Sequence, residues 1–359
     1  MYRRSFLALT AASLLSAGVS ATPTRRLIVI HLFGGNDGLN TIVPLNHPRY
    51  RRLRPTLALS ADEIVGTKNG LGFHRALSPA LPIWEAGRLA IVNGVGYPGP
   101  DRSHFRSSAI WETAGRPTAD SGWLGTCLAK NGGAAVSLDP TLPFSLRDKK
   151  LQPLCLPRLQ SPKFPDWSAI DQMYRAPEQP AHLRATYDRL RGATRRLARR
   201  APPSDAFPQS LKALCDLLPD ARVAHLRLGG FDTHSDQRKR HAEILHTLAE
   251  GLATLWRDLE RRGMARDTLV IGWSEFGRRA AENASGGTDH GAAGPLFLMG
   301  NGVRGGFHGE IPSLDDLDDG DLKYAVDFRR AYATVLERWM GADAAAILGR
   351  RFEPLNVLC

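Results

Sequence analysis

Past its first residues the sequence has no apolar run approaching the roughly 18 residues a membrane-crossing helix needs, so it has no transmembrane segment. Cysteine is scarce too. Cys127, Cys155, Cys215 and Cys359 are widely spaced and form no Cys-x-x-Cys pair, which argues against zinc–thiolate and redox chemistry. One disulfide suits an oxidising compartment, and spacing does not choose its partners. Internal repeats and low-complexity tracts are absent, which excludes solenoids and arrays. Acid is the minority charge: 36 Asp and Glu stand against 47 Lys and Arg, a net charge of +11.

Other features are present in plain form. Arg3-Arg4-Ser5-Phe6-Leu7 opens a short apolar stretch, Leu7 to Val19, that ends in the small residues Val19-Ser20-Ala21. This pattern predicts a signal peptide over residues 1–21, and the paired arginines predict export of a folded chain by the twin-arginine machinery. No Cys follows the cleavage point to carry a lipid. The expected location is therefore periplasmic or extracellular. In that setting the basic run Arg189 to Arg200 reads as a solvated helix face or as a surface drawn to anionic envelope polymers, not as a nucleic-acid site.

Hydrophobic residues make up 43% of the chain, enough for a real core. Arg26 to Phe33 is a near-continuous apolar and β-branched run ending at Gly34-Gly35, the pattern of a buried parallel strand. Leu89 to Val95, Val223 to Leu228, Thr268 to Trp273 and Leu296 to Met299 are further strand candidates. Between the third and fourth, Asp236 to Arg262 carries Ile244, Leu245, Leu248, Leu252, Leu255, Trp256 and Leu259 on one helical face. Strand, long helix, strand predicts a βαβ unit and a sheet covered by helices. The expected fold is α/β, a three-layer α/β/α sandwich with a mostly parallel central sheet. It forms one domain over 22–359 with a helical insertion around 171–218. Pro140 to Pro165 reads as irregular, Ser313 to Asp321 as an acidic loop, and Asp327 to Met340 as an amphipathic helix.

Chemistry-bearing residues gather where strands end, which is where open α/β sheets place ligands. Asp37, in Gly34-Gly35-Asn36-Asp37-Gly38, is either a metal ligand or a turn residue bonding nearby amides. Ser103 precedes a helical stretch. It is a natural N-cap, and equally a hydroxyl well placed to attack an anionic ester, with His104 and Arg106 beside it. Asp232 and His234 lie two apart, so extended backbone would aim both at one metal. Trp273-Ser274-Glu275-Phe276-Gly277-Arg278 offers Glu275 as ligand or base and Arg278 for an anion, and Gly287-Thr288-Asp289-His290-Gly291 adds Asp289 and His290.

These motifs, in this order and with the closing Val326-Asp327-Phe328-Arg329, resemble the domain-of-unknown-function 1501 family of exported bacterial proteins, which is similar to the alkaline phosphatase and sulfatase superfamily. The resemblance implies hydrolysis of phosphate or sulfate esters by a metal-activated hydroxyl. It puts Asp37 in the place of a metal-bridging Asp and Ser103 in the nucleophile slot. Asp232, His234 and His290 stand as ligands of one metal, and Glu275 falls where an Asp-His pair usually serves a second. Phe276 departs from that pattern, which puts the second metal in doubt; Asp289 or His104 could compensate.

Three functions remain open at this level. The first is an exported hydrolase using a divalent metal of unspecified identity on a small or polymeric anionic ester, with Arg106 or Arg278 steadying the non-bridging oxygens. The second is a non-catalytic envelope binding or assembly protein that retains the fold. The third is a metal-free serine hydrolase built on Ser103, against which the absence of a Gly-x-Ser-x-Gly elbow counts.

Overall fold

The computed structural model describes residues 25–116, 119–156 and 206–359, with 184, 187, 188, 191, 192 and 195 between them. The expected signal peptide, most of the basic run and most of the helical insertion lie outside the described residues. So does the end of the proline-rich stretch.

The apolar run near the start forms β1 (Arg26–Phe33), hydrogen-bonded on both sides to parallel strands. Strand periodicity splits its side chains between two cores. Ile28, Ile30 and Leu32 face one hydrophobic cluster, and Leu27 and Val29 face another. Burial on both faces is why the run reads as continuously apolar rather than alternating.

Eight further strands complete the sheet: β2 (Leu89–Gly96), β3 (Ala135–Ser137), β4 (Leu154–Cys155), β5 (Val223–Gly229), β6 (Thr268–Trp273), β7 (Gly294–Met299), β8 (Gly306–His308) and β9 (Val326–Asp327). Their order is β8-β2-β7-β6-β1-β5-β3-β4, and β9 pairs with β2. All pairings are parallel except those of β7, which runs antiparallel to both β2 and β6. The central sheet is thus mixed and mostly parallel, as the sequence predicts.

Helices cover both faces. On one lie α3 (Phe207–Leu217) and α4 (Gln237–Arg261). Leu245, Leu248, Leu252, Leu255, Trp256 and Leu259 of α4 are buried there, and each side chain contributes roughly 1.5–3 kcal/mol through the water it no longer meets. The connection β5–α4–β6 is the expected βαβ unit, and β1 lies between its two strands. On the other face lie α1 (His104–Glu112), α2 (Trp123–Asn131) and α5 (Phe328–Thr334). The expected amphipathic helix is α5 continued by a π-helical turn at Val335–Trp339.

An aromatic stack sets the position of α1. Trp111 lies 5.0 Å from Trp273 of β6 with nearly parallel rings, and 4.3 Å from Phe328 of α5. This stack anchors the C-terminal turn of α1, and the contact of His104 with Glu275 brings its N-terminus to the end of β6. The four cysteines are unpaired, so the disulfide allowed by the sequence is not formed.

Candidate metal centre

Four turns meet at the carboxyl ends of β1, β5 and β6. Close approach between them depends on missing side chains. A Cβ on Gly34 would stand 2.4 Å from the Asp232 amide nitrogen, and Gly34 also has a φ of +123° that only glycine adopts readily. A Cβ on Gly287 would fall 2.2 Å from the carbonyl carbon of His234. The Gly-rich turns therefore let the backbones touch, and Thr288 N–H donates to the Thr233 carbonyl to join the two Asp/His loops.

Three imidazoles converge on Asp232. Its Oδ1 lies 3.0 Å from His234 Nε2 and 3.1 Å from His290 Nε2, and its Oδ2 lies 3.5 Å from His104 Nε2. The two nitrogens of His234 and His290 are 3.0 Å apart. Each ring has its other nitrogen tied to an oxygen. His104 Nδ1 is 2.7 Å from Glu275 Oε1, His290 Nδ1 is 2.8 Å from the Arg102 carbonyl, and His234 Nδ1 is 3.3 Å from Asp289 Oδ1. A carbonyl or ionised carboxylate only accepts, so each Nδ1 carries a proton; once the Nε2 protons that face Asp232 leave, the Nε2 lone pairs face one another. That is the tautomer a metal ion takes, with the outer oxygens holding each ring.

The residues fit such an ion. His104 Nε2 is a buried nitrogen without a hydrogen-bond partner. The donor atoms of His104, Asp232 and His290 lie within 4.8 Å of one another, the one such group among the described residues. The Asp232 contacts of 3.0–3.5 Å approximate the roughly 3.3 Å between neighbouring ligands when bonds of about 2.0–2.1 Å point to a tetrahedron. Two nitrogens and a carboxylate, with His234 Nε2 outside that group but 3.0 Å from Asp232, suit zinc or a similar first-row divalent ion better than calcium or magnesium, which prefer oxygen.

Charge is arranged to match. Burial works to raise Asp232, but hydrogen bonds from Arg278 and His290 outweigh it and bring its pKa down to about 2. Glu275 is fully buried. Burial would raise it, and the hydrogen bonds of His104 and His31 instead hold it at about 2.

Several candidates take places different from those expected. Glu275 does not face the cluster. Its Oε1 receives His104 Nδ1 and the Gly34 amide at 2.8 Å, and its Oε2 lies 3.2 Å from His31 Nε2, so it stands behind His104 as an orienting group. Asp289 plays the same part behind His234. Arg278 is buried and donates to the carbonyls of Gly34, Gly35, Phe231 and Thr288 and to Asp232, which leaves it closed to an anion. Asp37 is buried against Arg54 Nη1 at 2.6 Å and Gln237 Nε2, a structural pair on another side of the Gly-Gly turn. Arg106 is 80% exposed at the rim, 3.7 Å from Asp101.

Ser103 occupies the N-cap position of α1, but its hydroxyl makes no capping bond, so the role that explains most such serines is absent. Its neighbours define its place: the Arg102 carbonyl accepts from His290, and the His104 ring belongs to the cluster. Arg102 is itself held by Asp321 Oδ2 at 2.6 Å, at the end of the acidic loop. Phe276 fills the position where the resemblance calls for an imidazole, its ring 4.9 Å from His104 and 4.7 Å from His290.

His104 carries more of the site than the sequence suggested, and His31 was missed. His31 lies inside the apolar β1 run, where period-2 alternation places it on the face of Phe33 toward the site. That phase was the available signal.

The carboxylate behind His104 sets a first prediction. Glu275→Gln keeps the shape but exchanges a charged acceptor for an amide, which should weaken metal binding by roughly 10–100-fold with little loss of fold. Competitive chelator titration of wild type and variant measures this directly. Equal affinities would remove Glu275 from the site.

The family model described as "Protein of unknown function (DUF1501)" matches residues 164–350. No curated protein matches the chain. Among solved structures, it is similar to the C-terminal periplasmic domain of EcEptC from Escherichia coli, at 12% identity over 93% of this chain and 92% of that one, with a TM-score of 0.43. It is also similar to the PsFucS1 sulfatase from Pseudoalteromonas sp., at 12% identity over 92% and 71% and a TM-score of 0.42. A third is the phosphonate monoester hydrolase of Agrobacterium radiobacter, at 9% identity over 92% and 78% and a TM-score of 0.39. Resemblances this distant do not bear on chemistry, which rests on the cluster itself.

Proposed function

The chain belongs to the DUF1501 family, whose description assigns no activity, and from that premise we propose that it is an exported, metal-dependent hydrolase of phosphate or sulfate esters. The observation that carries this reading is the convergence of three Nε2 atoms on Asp232 with every Nδ1 already satisfied. His104, Asp232, His234 and His290 would hold the ion. When bound, it supplies a Lewis acid for the ester oxygens and lowers the pKa of a nearby hydroxyl.

The remaining parts belong to the chain. Ser103 is the nucleophile: its Oγ forms a bond to phosphorus or sulfur as the bond to the alcohol oxygen breaks and that oxygen leaves with a proton. Water then frees Ser103 and releases the inorganic anion. The unpaired amides and dipole at the start of the nine-residue α1 favour the anionic group, and exposed Arg106 adds positive charge at the rim. Glu275 and Asp289 keep His104 and His234 in register. Phe276 excludes water from the inner side of the cluster.

Elemental analysis of the purified protein tests the metal, followed by a screen of phosphate and sulfate esters with Ser103→Ala as control. The expected result is about one ion per chain, with turnover that falls at least a hundredfold in the variant. A protein without metal under non-stripping conditions would sink the reading. Full loading with no turnover of any ester would instead favour the non-catalytic binding protein, the reading that the single cluster and Phe276 support.

A further inference from the structure

Beside α1 a cavity of about 260 Å³ is lined by His225, Asp139 and Ser108 among others. His225 and Asp139 are both buried, with His225 Nδ1 2.5 Å from Asp139 Oδ2. Their outer atoms, His225 Nε2 and Asp139 Oδ1, have no hydrogen-bond partner among the described residues, and neither has Ser108 Oγ from the helix above. Each such buried group costs on the order of 1–3 kcal/mol when unsatisfied, and three around one cavity are hard to explain by packing alone.

Their chemistry specifies an occupant. Asp139 Oδ1 can only accept. His225 carries a proton on Nδ1; burial opposes its charging, yet the Asp139 carboxylate outweighs burial and raises its pKa, so Nε2 can donate as well. Ser108 does both. An acceptor and a donor from the sheet side and a hydroxyl from α1 match neighbouring hydroxyl groups, which offer both functions at once. The other walls are rings. Phe33, Phe105 and Phe144 line the cavity, and Phe105 is 83% exposed at the mouth, an unusual place for a large apolar side chain.

Charge narrows the class further. Arg227 lies over the Phe33 ring at 4.8 Å and Arg147 over the Phe144 ring at 5.4 Å, so a cation is disfavoured at the entrance. Inside, Asp139 is already paired with His225 and burial raises the pKa of Glu112, so neither acid is a free charge for a ligand to meet. The volume lies just under the roughly 300–1,000 Å³ typical of sites for drug-sized ligands, enough for one small ring.

We propose that this cavity binds a neutral, polyhydroxylated ring, a saccharide unit forming the alcohol part of the ester. Its hydroxyls meet His225, Asp139 and Ser108, and its C–H face lies against the phenylalanines. Phe33 links the two places: it lines the cavity, and its ring is 5.4 Å from that of His104. The assignment of the ring to the ester rests on the function proposed above; the binding of the ring does not.

The experiment therefore uses metal-free protein in chelator. Neutral methyl glycosides of gluco, galacto and manno configuration are titrated by saturation-transfer NMR, alongside cyclohexylmethanol and methyl glucuronide. At least one neutral glycoside should bind, with the apolar ring and the uronate at least tenfold weaker. Ser108→Leu, which fills the cavity from the helix, and His225→Gln should each weaken binding tenfold or more. Phe105→Ala, a surface change that cannot unfold the core, should reduce saturation of the ring protons. The proposal is overturned if no glycoside binds the folded wild type, if cyclohexylmethanol or the uronate binds as well, or if Ser108→Leu and His225→Gln bind unchanged. Glycoside binding by a protein that takes up no metal would retain this inference and discard the hydrolase.

Discussion

Asp232→Ala and His290→Ala should each purify without stoichiometric metal, with affinity reduced well beyond the roughly 10–100-fold expected for Glu275→Gln. Asp232 is where the three Nε2 atoms meet, so its removal takes away a ligand and also the charge that balances a cation among neutral imidazoles. Stability gives a readout independent of turnover. An ion that binds only the folded chain stabilises it by about 2.7 kcal/mol at a hundred times its dissociation constant. Chelator should therefore lower the urea midpoint of wild type and leave that of Asp232→Ala unmoved. If chelator shifts both equally, the ion binds elsewhere. Asp232→Ala also releases one hydrogen bond of Arg278, but that guanidinium keeps its four carbonyl acceptors, so the backbone around the site should hold.

Much of the site was legible because its ingredients are local. Gly-Gly-Phe-Asp-Thr-His packs Asp232 with His234, and Gly-Thr-Asp-His-Gly packs His290 with its supporting neighbour Asp289, each in one turn after or before a strand, and short-range pattern is what a sequence carries best. The βαβ unit was legible for the same reason: α4 keeps its helical period for 25 residues. What sequence did not separate was ligand from support. Glu275 and Asp289 have the chemistry of ligands, and only the direction of their carboxylates, toward the Nδ1 atoms, sets them behind the rings. Arg278 looked available because the five acceptors around its guanidinium lie in turns from residue 34 to residue 288, contacts no local pattern records. His225 and Asp139 escape a local reading because the first sits in an alternating strand and the second just before a proline-rich stretch, 86 residues apart.

Arg54→Ala should cost about 3–5 kcal/mol, a larger loss of stability than any ligand substitution, although Arg54 touches nothing in the metal centre. Its side chain is fully buried. It donates to Asp37 Oδ2 at 2.6 Å, to Asn40 Oδ1 at 2.9 Å and to the carbonyls of Arg279 and Ala280. Truncation would strand the Asp37 carboxylate in the interior, where Oδ1 already lacks a partner. Replacing Asp37 and Arg54 together by Leu and Met should recover much of the loss, because the desolvation cost disappears with the charges. Acid should act on the same knot. His241, bonded to Asn36 at 3.0 Å, is pushed down to about 4 by burial, so between about pH 6.5 and 4 the unfolded chain binds a proton that the folded chain refuses. Stability should fall by roughly 3 kcal/mol as pH drops through that window. Asp37 behaves in the same direction lower down. Burial opposes its ionisation, Arg54 outweighs burial and lowers its pKa, and its contribution is present above about pH 3.9 and lost as pH falls through the lower folded value. Urea midpoints from pH 7 to 4 for wild type and His241→Asn measure the first window. A wild-type slope that survives in His241→Asn would place the titrating group elsewhere. Because the pair lies outside the cluster, Asp37→Asn should keep its metal even as it loses stability, and loss of metal from a folded Asp37→Asn would return Asp37 to the ligand set.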